Sequence, residues 1–231
     1  MFMGVGEARI FLLFYIYHKC VGEEIIDQMI TKSEVQNALY EWQTLENGKY
    51  RENELALIDL VKHYKSNDSL KSILLKIATL NEFYSTNIKR AFSMANHILK
   101  LDIDTKLKAL KDSPHNELRC CKELVHSIAN LEGENFISFA SKYCSFHNQE
   151  LFPIFDNLVA KVLCQLQKSD NFSDFNPRRF ANNPQHQLRD YAIFKKAILD
   201  FINFYDLKDF NFKEIDRFLW QKGRKEFGSA K

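Results

Sequence analysis

Glycine and proline are scarce in this chain, at seven and four among 231 residues. So few turn formers leave long helices as the natural outcome. Charge of one sign is also lacking. The 32 lysines and arginines nearly balance 30 acidic residues, for a net of +2, so any nucleic-acid surface has to be a local basic patch. Paired cysteines are lacking as well. Cys20, Cys120, Cys121, Cys144 and Cys164 form an odd set of five on a large chain, which fits a reducing cytoplasm better than a secreted disulfide framework. No apolar run approaches the roughly 20 residues of a spanning helix. The run Ile10 to Tyr17 follows Glu7 and Arg9 and precedes His18-Lys19-Cys20. Basic residues in front and small residues behind would mark a signal peptide; here a buried helix or strand is expected, with no membrane role. No phosphate-binding loop, dinucleotide fingerprint, nucleophile elbow or zinc-protease motif occurs.

What the chain does have is apolar bulk. Hydrophobic residues make up 45%, and 20 are phenylalanine, so an aromatic-rich core is expected and disorder is not. Helical spacing recurs almost throughout. Val35, Leu39 and Trp42 follow a cap at Ser33, and Leu55, Ile58, Val61 and Tyr64 form a second stripe. Asp68 or Ser69 caps a segment carrying Ile73, Ile77 and Leu80, and Ser85 opens one with Ile88, Ala91, Phe92 and Ala95. Further helices are expected over 104–110, 118–131, 136–146, 157–166, 188–205 and 212–223, the last ended by Gly223. Residues 168–185, rich in Asn and Asp and holding Pro177 and Pro184, read as a long ordered loop. No strand pattern or internal repeat stands out. The expectation is one all-α, multi-helix unit over 1–231, built as one or two lobes and acting as a monomer, with a loose tail at Gly228-Ser229-Ala230-Lys231.

Three segments hold candidate chemistry, and each has a plain structural reading beside it. In Ser85-Thr86-Asn87-Ile88-Lys89-Arg90, small polar residues precede a helix whose free N–H groups suit phosphate; an ordinary helix cap is the plain alternative. On a helix, Ser138, Lys142 and Ser145 share one side. Burial among aromatics disfavours any lysine's ammonium form, and a neutral amine attacks carbonyl or sugar carbon; a solvated lysine is the alternative. Asp156 starts a helix fourteen residues after Lys142, either as its cap or as a carboxylate facing a developing cation. His115, Cys120, Cys121, His126, Cys144 and His147 offer only one short pair, Cys144-x-x-His147. Structural zinc sites use two such pairs, so no metal and no other cofactor is expected.

In this order on an all-α chain, the three segments resemble the helix-hairpin-helix DNA glycosylases, the 8-oxoguanine glycosylase branch above all. Ser85-Thr86-Asn87-Ile88-Lys89-Arg90 is similar to that branch's Asn-rich segment ending Asn-Ile-x-Arg. Ser141-Lys142 lies where the family's hairpin ends in its catalytic lysine. Phe152-Pro153-Ile154-Phe155-Asp156 resembles the segment holding the catalytic aspartate, with one extra residue, Phe155, before the acid. The resemblance spans about 80–166. It departs at the hairpin, where the family's Gly-x-Gly is replaced by Ser138, Phe139 and Ala140.

The resemblance implies a double-stranded DNA partner and a damaged or modified base turned out into a pocket. It implies Lys142 attacking C1′ to give a Schiff base, Asp156 stabilising charge on the sugar, and Ser85, Thr86, Asn87 and Arg90 contacting DNA. Trp220, the basic end Lys222-Arg224-Lys225 and Arg178-Arg179 stand as added packing or phosphate contacts. The competing expectations are a catalytically silent nucleic-acid binder and a helical interaction protein. The first reading requires Lys142 and Asp156 to meet a few ångströms apart in one cleft.

Overall fold

The computed structural model describes residues 30–111, 117–180 and 182–228. The apolar run Ile10 to Tyr17, Cys20, Pro114, His115 and the tail residues 229–231 lie outside the described residues.

Ten α-helices make up the described chain: α1 (Lys32–Trp42), α2 (Lys49–His63), α3 (Leu70–Tyr84), α4 (Ala91–Leu101), α5 (Ile103–Lys111), α6 (Glu117–Ala129), α7 (Ile137–His147), α8 (Asn157–Asp170), α9 (Tyr191–Phe204) and α10 (Phe212–Phe227). Asn130–Leu131 and Glu134–Asn135 pair antiparallel around Gly133, which takes the left-handed φ of +83°. This small ribbon between α6 and α7 is absent from the sequence reading, since two residues per strand are too few for an alternating pattern. The fold is all-α, and among the described residues no helix is long and apolar enough to cross a membrane.

Helix α7 lies at the centre, with nine of its eleven residues buried. It packs on α6, α3 and α2, while α8 and α10 form the closest helix pair. A helix covered on every side must take its polar residues inside with it. That is why Ser141, Lys142 and Ser145 are all buried.

Several local expectations change. The cap of α1 is Thr31, which forms a capping box with Glu34, rather than Ser33. On α2 the buried face carries Glu54, Leu57 and Val61, while Leu55 is exposed. Ser85 ends α3 in a left-handed conformation instead of opening the next helix, which begins six residues later at Ala91. The reason is local. The Asn81 side chain accepts from Ile88 N at 2.8 Å and donates to Ile88 O at 2.8 Å, clamping 85–90 as a turn. Phe92, expected on the apolar side of the following helix, is exposed.

Gly223 does not end the last helix either, which runs on to Phe227. A Cβ at Gly223 would meet the Leu158 Cβ at 2.8 Å and its carbonyl oxygen at 3.0 Å. The glycine serves the close approach of α10 to α8. The loop expected over 168–185 begins later, because α8 extends to Asp170, and a 3-10 turn at His186–Arg189 delays the start of α9 from Leu188 to Tyr191.

Candidate active site

Lys142 sits midway along α7 and is 3% exposed. Its ammonium donates to Ser138 Oγ at 2.7 Å, one helical turn back, and lies 3.5 Å from Phe155 O. It also lies 3.5 Å from Asp156 Oδ2. Asp156 is the N-cap of α8, its other oxygen accepting from Leu158 N at 2.9 Å. One carboxylate therefore both caps a helix and faces the lysine.

The segment that carries Asp156 is fixed along its length. Ser141 Oγ accepts from Phe155 N at 3.0 Å, Tyr191 OH donates to Pro153 O at 2.7 Å, and Lys195 Nζ donates to Leu151 O at 2.8 Å. Phe155 is buried edge-on against Phe194 at 5.2 Å. That contact accounts for a residue between Ile154 and Asp156: its side chain anchors the turn to α9.

Lys142 and Asp156 open onto a cleft of about 380 Å³ lined by Trp42, Tyr50, Phe83, Tyr84, Ser85, Ile154, Leu158, Lys213, Asp216, Arg217 and Trp220. Trp42, Tyr50 and Trp220 pack together with centroids 5.0 to 5.7 Å apart. Arg217 lies over Trp42, and Arg224 lies over Tyr50 and Trp220. Planar walls with guanidinium backing suit a planar guest.

The sequence reading found Lys142, Asp156 and Ser85 on this cleft. It took Trp220 only for added packing or phosphate contact and missed Trp42, Tyr50, Lys213, Asp216 and Arg217 as lining. The available clue was spacing on α10, where Lys213, Asp216 and Trp220 fall three and four residues apart on one face.

The floor is charged. Lys213 lies 3.6 Å from Glu54 and from Asp216, with the rings of Tyr84 and Phe146 at 5.5 and 5.2 Å from its nitrogen. Arg217 pairs with Glu54. Burial works against the Lys213 ammonium, yet Tyr84, Glu54 and Asp216 outweigh it and raise its pKa above the usual lysine value. Burial pushes the Asp216 carboxyl up to about 6, with Lys213 and Lys142 opposing and Asp156 and Glu54 adding. Among the described residues no group of three or more His, Cys, Asp or Glu gathers as a metal-holding set.

The DNA-facing residues implied by the resemblance are only partly brought to the cleft. Ser85 lines it, and Asn87 is exposed beside it with its side chain on Ser85 O at 3.0 Å. Thr86 Oγ1 is tied to Asn81 Oδ1 at 2.6 Å, inside the turn. Arg90 forms ion pairs with Glu132 and Glu134 of the ribbon, so a phosphate has to displace two carboxylates to reach it.

No hairpin turn forms at the positions the resemblance implies. Ser138, Phe139 and Ala140 are helical, and the tight turn falls at Glu132-Gly133, nine residues before Lys142. The basic end is largely neutralised: Lys222 pairs with Glu226, Arg224 with Glu46 and Lys225 with Glu41. Arg178 reaches the Lys168 carbonyl and Arg179 stacks on Phe180.

A family model named HI_0787_N, described as an N-terminal domain, matches residues 34–151. The matched stretch includes Lys142 and stops five residues short of Asp156. An uncharacterized protein of Haemophilus influenzae is 34% identical over 163 residues, covering 70% of this chain and 71% of that one. No solved structure matches the chain. With half the chain matched by the model and a relative at this level of identity, the chain belongs to the HI_0787_N family.

Proposed function

We propose that this protein is a divergent DNA glycosylase on a scaffold like that of the helix-hairpin-helix glycosylases, removing a damaged or modified base through a lysine Schiff base. The observation that carries the reading is the Lys142–Asp156 pair, 3.5 Å apart at the wall of an aromatic-lined cleft. An amine nucleophile needs a defined approach and a nearby anion where positive charge develops. Lys142 attacks C1′ and Asp156 stabilises the cationic sugar. The extruded base enters the cleft against the wall of Trp42, Tyr50 and Trp220, at an extrusion cost of a few kcal/mol. Opening of the resulting sugar ring gives the Schiff base, from which strand cleavage follows. Duplex DNA is the partner, the protein acts as a monomer in the cytoplasm, and neither metal nor cofactor takes part. Ser85 and Asn87 contact the DNA at the cleft rim, and Arg90 does so once Glu132 and Glu134 give way.

The test is reductive trapping. Wild-type protein and Lys142→Gln are incubated with a duplex bearing an abasic site, and borohydride is added. The reading expects a covalent protein–DNA adduct with wild type and none with the variant. Absence of adduct with wild type, or an equal yield from both, removes Lys142 as the nucleophile.

A further inference from the structure

Asp216 is the one carboxyl of the cleft wall that the proposed chemistry leaves unused. It lies on α10 on the side of the cleft formed with Lys213 and Trp220. Asp156 is committed on both oxygens, to Leu158 N and toward Lys142. Asp216 is not. Its nearest cation, Lys213 Nζ, stands 3.6 Å away, beyond ordinary hydrogen-bond reach. Only 14% of its side chain is exposed, and that exposure is to the cleft it lines. Two of the groups acting on it electrostatically are Lys142 and Asp156 themselves, so it belongs to the same local field as the nucleophile.

We infer that Asp216 is the proton relay of this site, delivering a proton to the leaving base and recovering one from the amine that replaces it. The inference rests on the glycosylase reading above. In the step, the lone pair of the neutral Lys142 amine forms the N–C1′ bond. The C1′–base bond breaks and its electron pair goes to the base nitrogen. The Asp216 carboxyl proton transfers to that nitrogen, so the base departs neutral. The new secondary ammonium then releases a proton to the Asp216 carboxylate, restoring the acid. The net change is one amine proton moved to the base, with no outside acid or oxidant consumed.

The surroundings suit both halves of that cycle. Burial and the carboxylates of Asp156 and Glu54 favour the neutral acid, while Lys213 and Lys142 favour the carboxylate. From α3, Tyr84 faces the same cluster, with its phenol pushed up to about 12 by burial, so it stays neutral. Arg217 is held on Glu54 and Tyr50 lines the same cleft. With its pKa raised to about 6, Asp216 holds a usable fraction of acid near neutral pH, which is where a general acid is most effective.

Two measurements separate this relay from a structural role and from the underlying reading. The first is the rate of borohydride trapping on an abasic-site duplex, where no base remains to be protonated. The second is base release from duplexes carrying single 8-oxoguanine, hypoxanthine, uracil or 5-hydroxyuracil residues, all of which leave as anions unless protonated. Asp216→Asn is expected to lower base release roughly 100-fold or more, the usual scale of general-acid catalysis, and abasic-site trapping far less. Asp216→Glu, which retains a carboxyl, recovers part of the loss.

The pH profile adds a second signature. Wild-type release, needing the protonated Asp216 acid, declines on the alkaline side; Asp216→Asn loses that decline. Equal loss of both activities, or undiminished release by Asp216→Asn, overturns the relay. So does wild type that traps abasic sites yet releases none of the four bases. Failure of wild type to trap the abasic duplex is the different outcome that removes the glycosylase reading, and the relay with it.

Discussion

Four lysines are buried among the described residues, and beside Lys213 of the cleft floor the other three divide by their surroundings. Lys76, fully buried, donates to Ser66 O at 3.0 Å and Asn67 Oδ1 at 2.6 Å. Lys195, also fully buried, donates to Leu151 O at 2.8 Å and pairs with Glu117. Neither lines the main cleft. Lys142 has one short hydrogen bond, to Ser138, two long approaches, and an opening to the cleft. Burial alone does not make a lysine reactive. The first two are cross-links, whose charge satisfies carbonyls and amides in fixed places, and the third has room beside it for another atom.

Lys76, on α3, is tied to α7 through a network that does not touch the cleft. Behind the helix, Asn67 Oδ1 accepts from both Lys76 and Tyr143 at 2.6 Å, and Asp104 accepts from Asn67 N and Nδ2 at 2.6 Å each. This network joins α3, α5 and α7 and holds the helix that carries Lys142.

The contrast predicts the largest stability loss where a cross-link is cut. Asn67→Ala leaves a buried ammonium and a buried phenol without their acceptor and is expected to cost about 3–5 kcal/mol, read by urea denaturation. Lys142→Gln keeps the reach to Ser138 and leaves Asp156 open to water, so it is expected to cost under about 1.5 kcal/mol. A reversal of those two losses breaks the division.

Asp156→Asn sharpens it. Asparagine caps a helix as well as aspartate does, so α8 survives, but base release is expected to fall roughly 100- to 1,000-fold through lost charge stabilisation. Gly223→Ala should cost about 1–3 kcal/mol by overpacking, because the new methyl meets Leu158 beside the cleft. A melting temperature equal to wild type would show that α8 and α10 separate freely.

The pH dependence of the same network tests the buried set by another route. Burial, with help from Lys76, lowers the His147 pKa to about 3 from its ordinary value of 6.5. The folded state therefore keeps His147 neutral while the unfolded chain protonates it. Its contribution is fully present above pH 6.5 and is lost as pH falls toward 3. Thermal melts of His147→Gln should show a shallower decline across that window than wild type; an unchanged slope removes His147 as the source.

The helices were legible because apolar spacing and scarce glycine leave few other options, and Ser69 and Asp156 were readable as caps. The centre was not. Ser138, Lys142 and Ser145 read as a polar face, since nothing in eleven residues tells that three other helices will close over α7. The Asn81 clamp on 85–90 and the approach of Gly223 to Leu158 are long-range or side-chain effects that periodicity does not carry. Of the cleft, the resemblance supplied Lys142 and Asp156, fourteen residues apart. Trp42, Tyr50 and Asp216 come from the two ends of the described chain, and only folding brings them together.

The division among the lysines is tested most directly by mapping the trapped adduct. After borohydride reduction on an abasic-site duplex, the protein is digested and the modified peptide is identified by mass spectrometry. The account predicts that the sugar remnant lies on Lys142, with Lys76 and Lys195 unmodified. A remnant on either of those two lysines, or on Lys213, would contradict it.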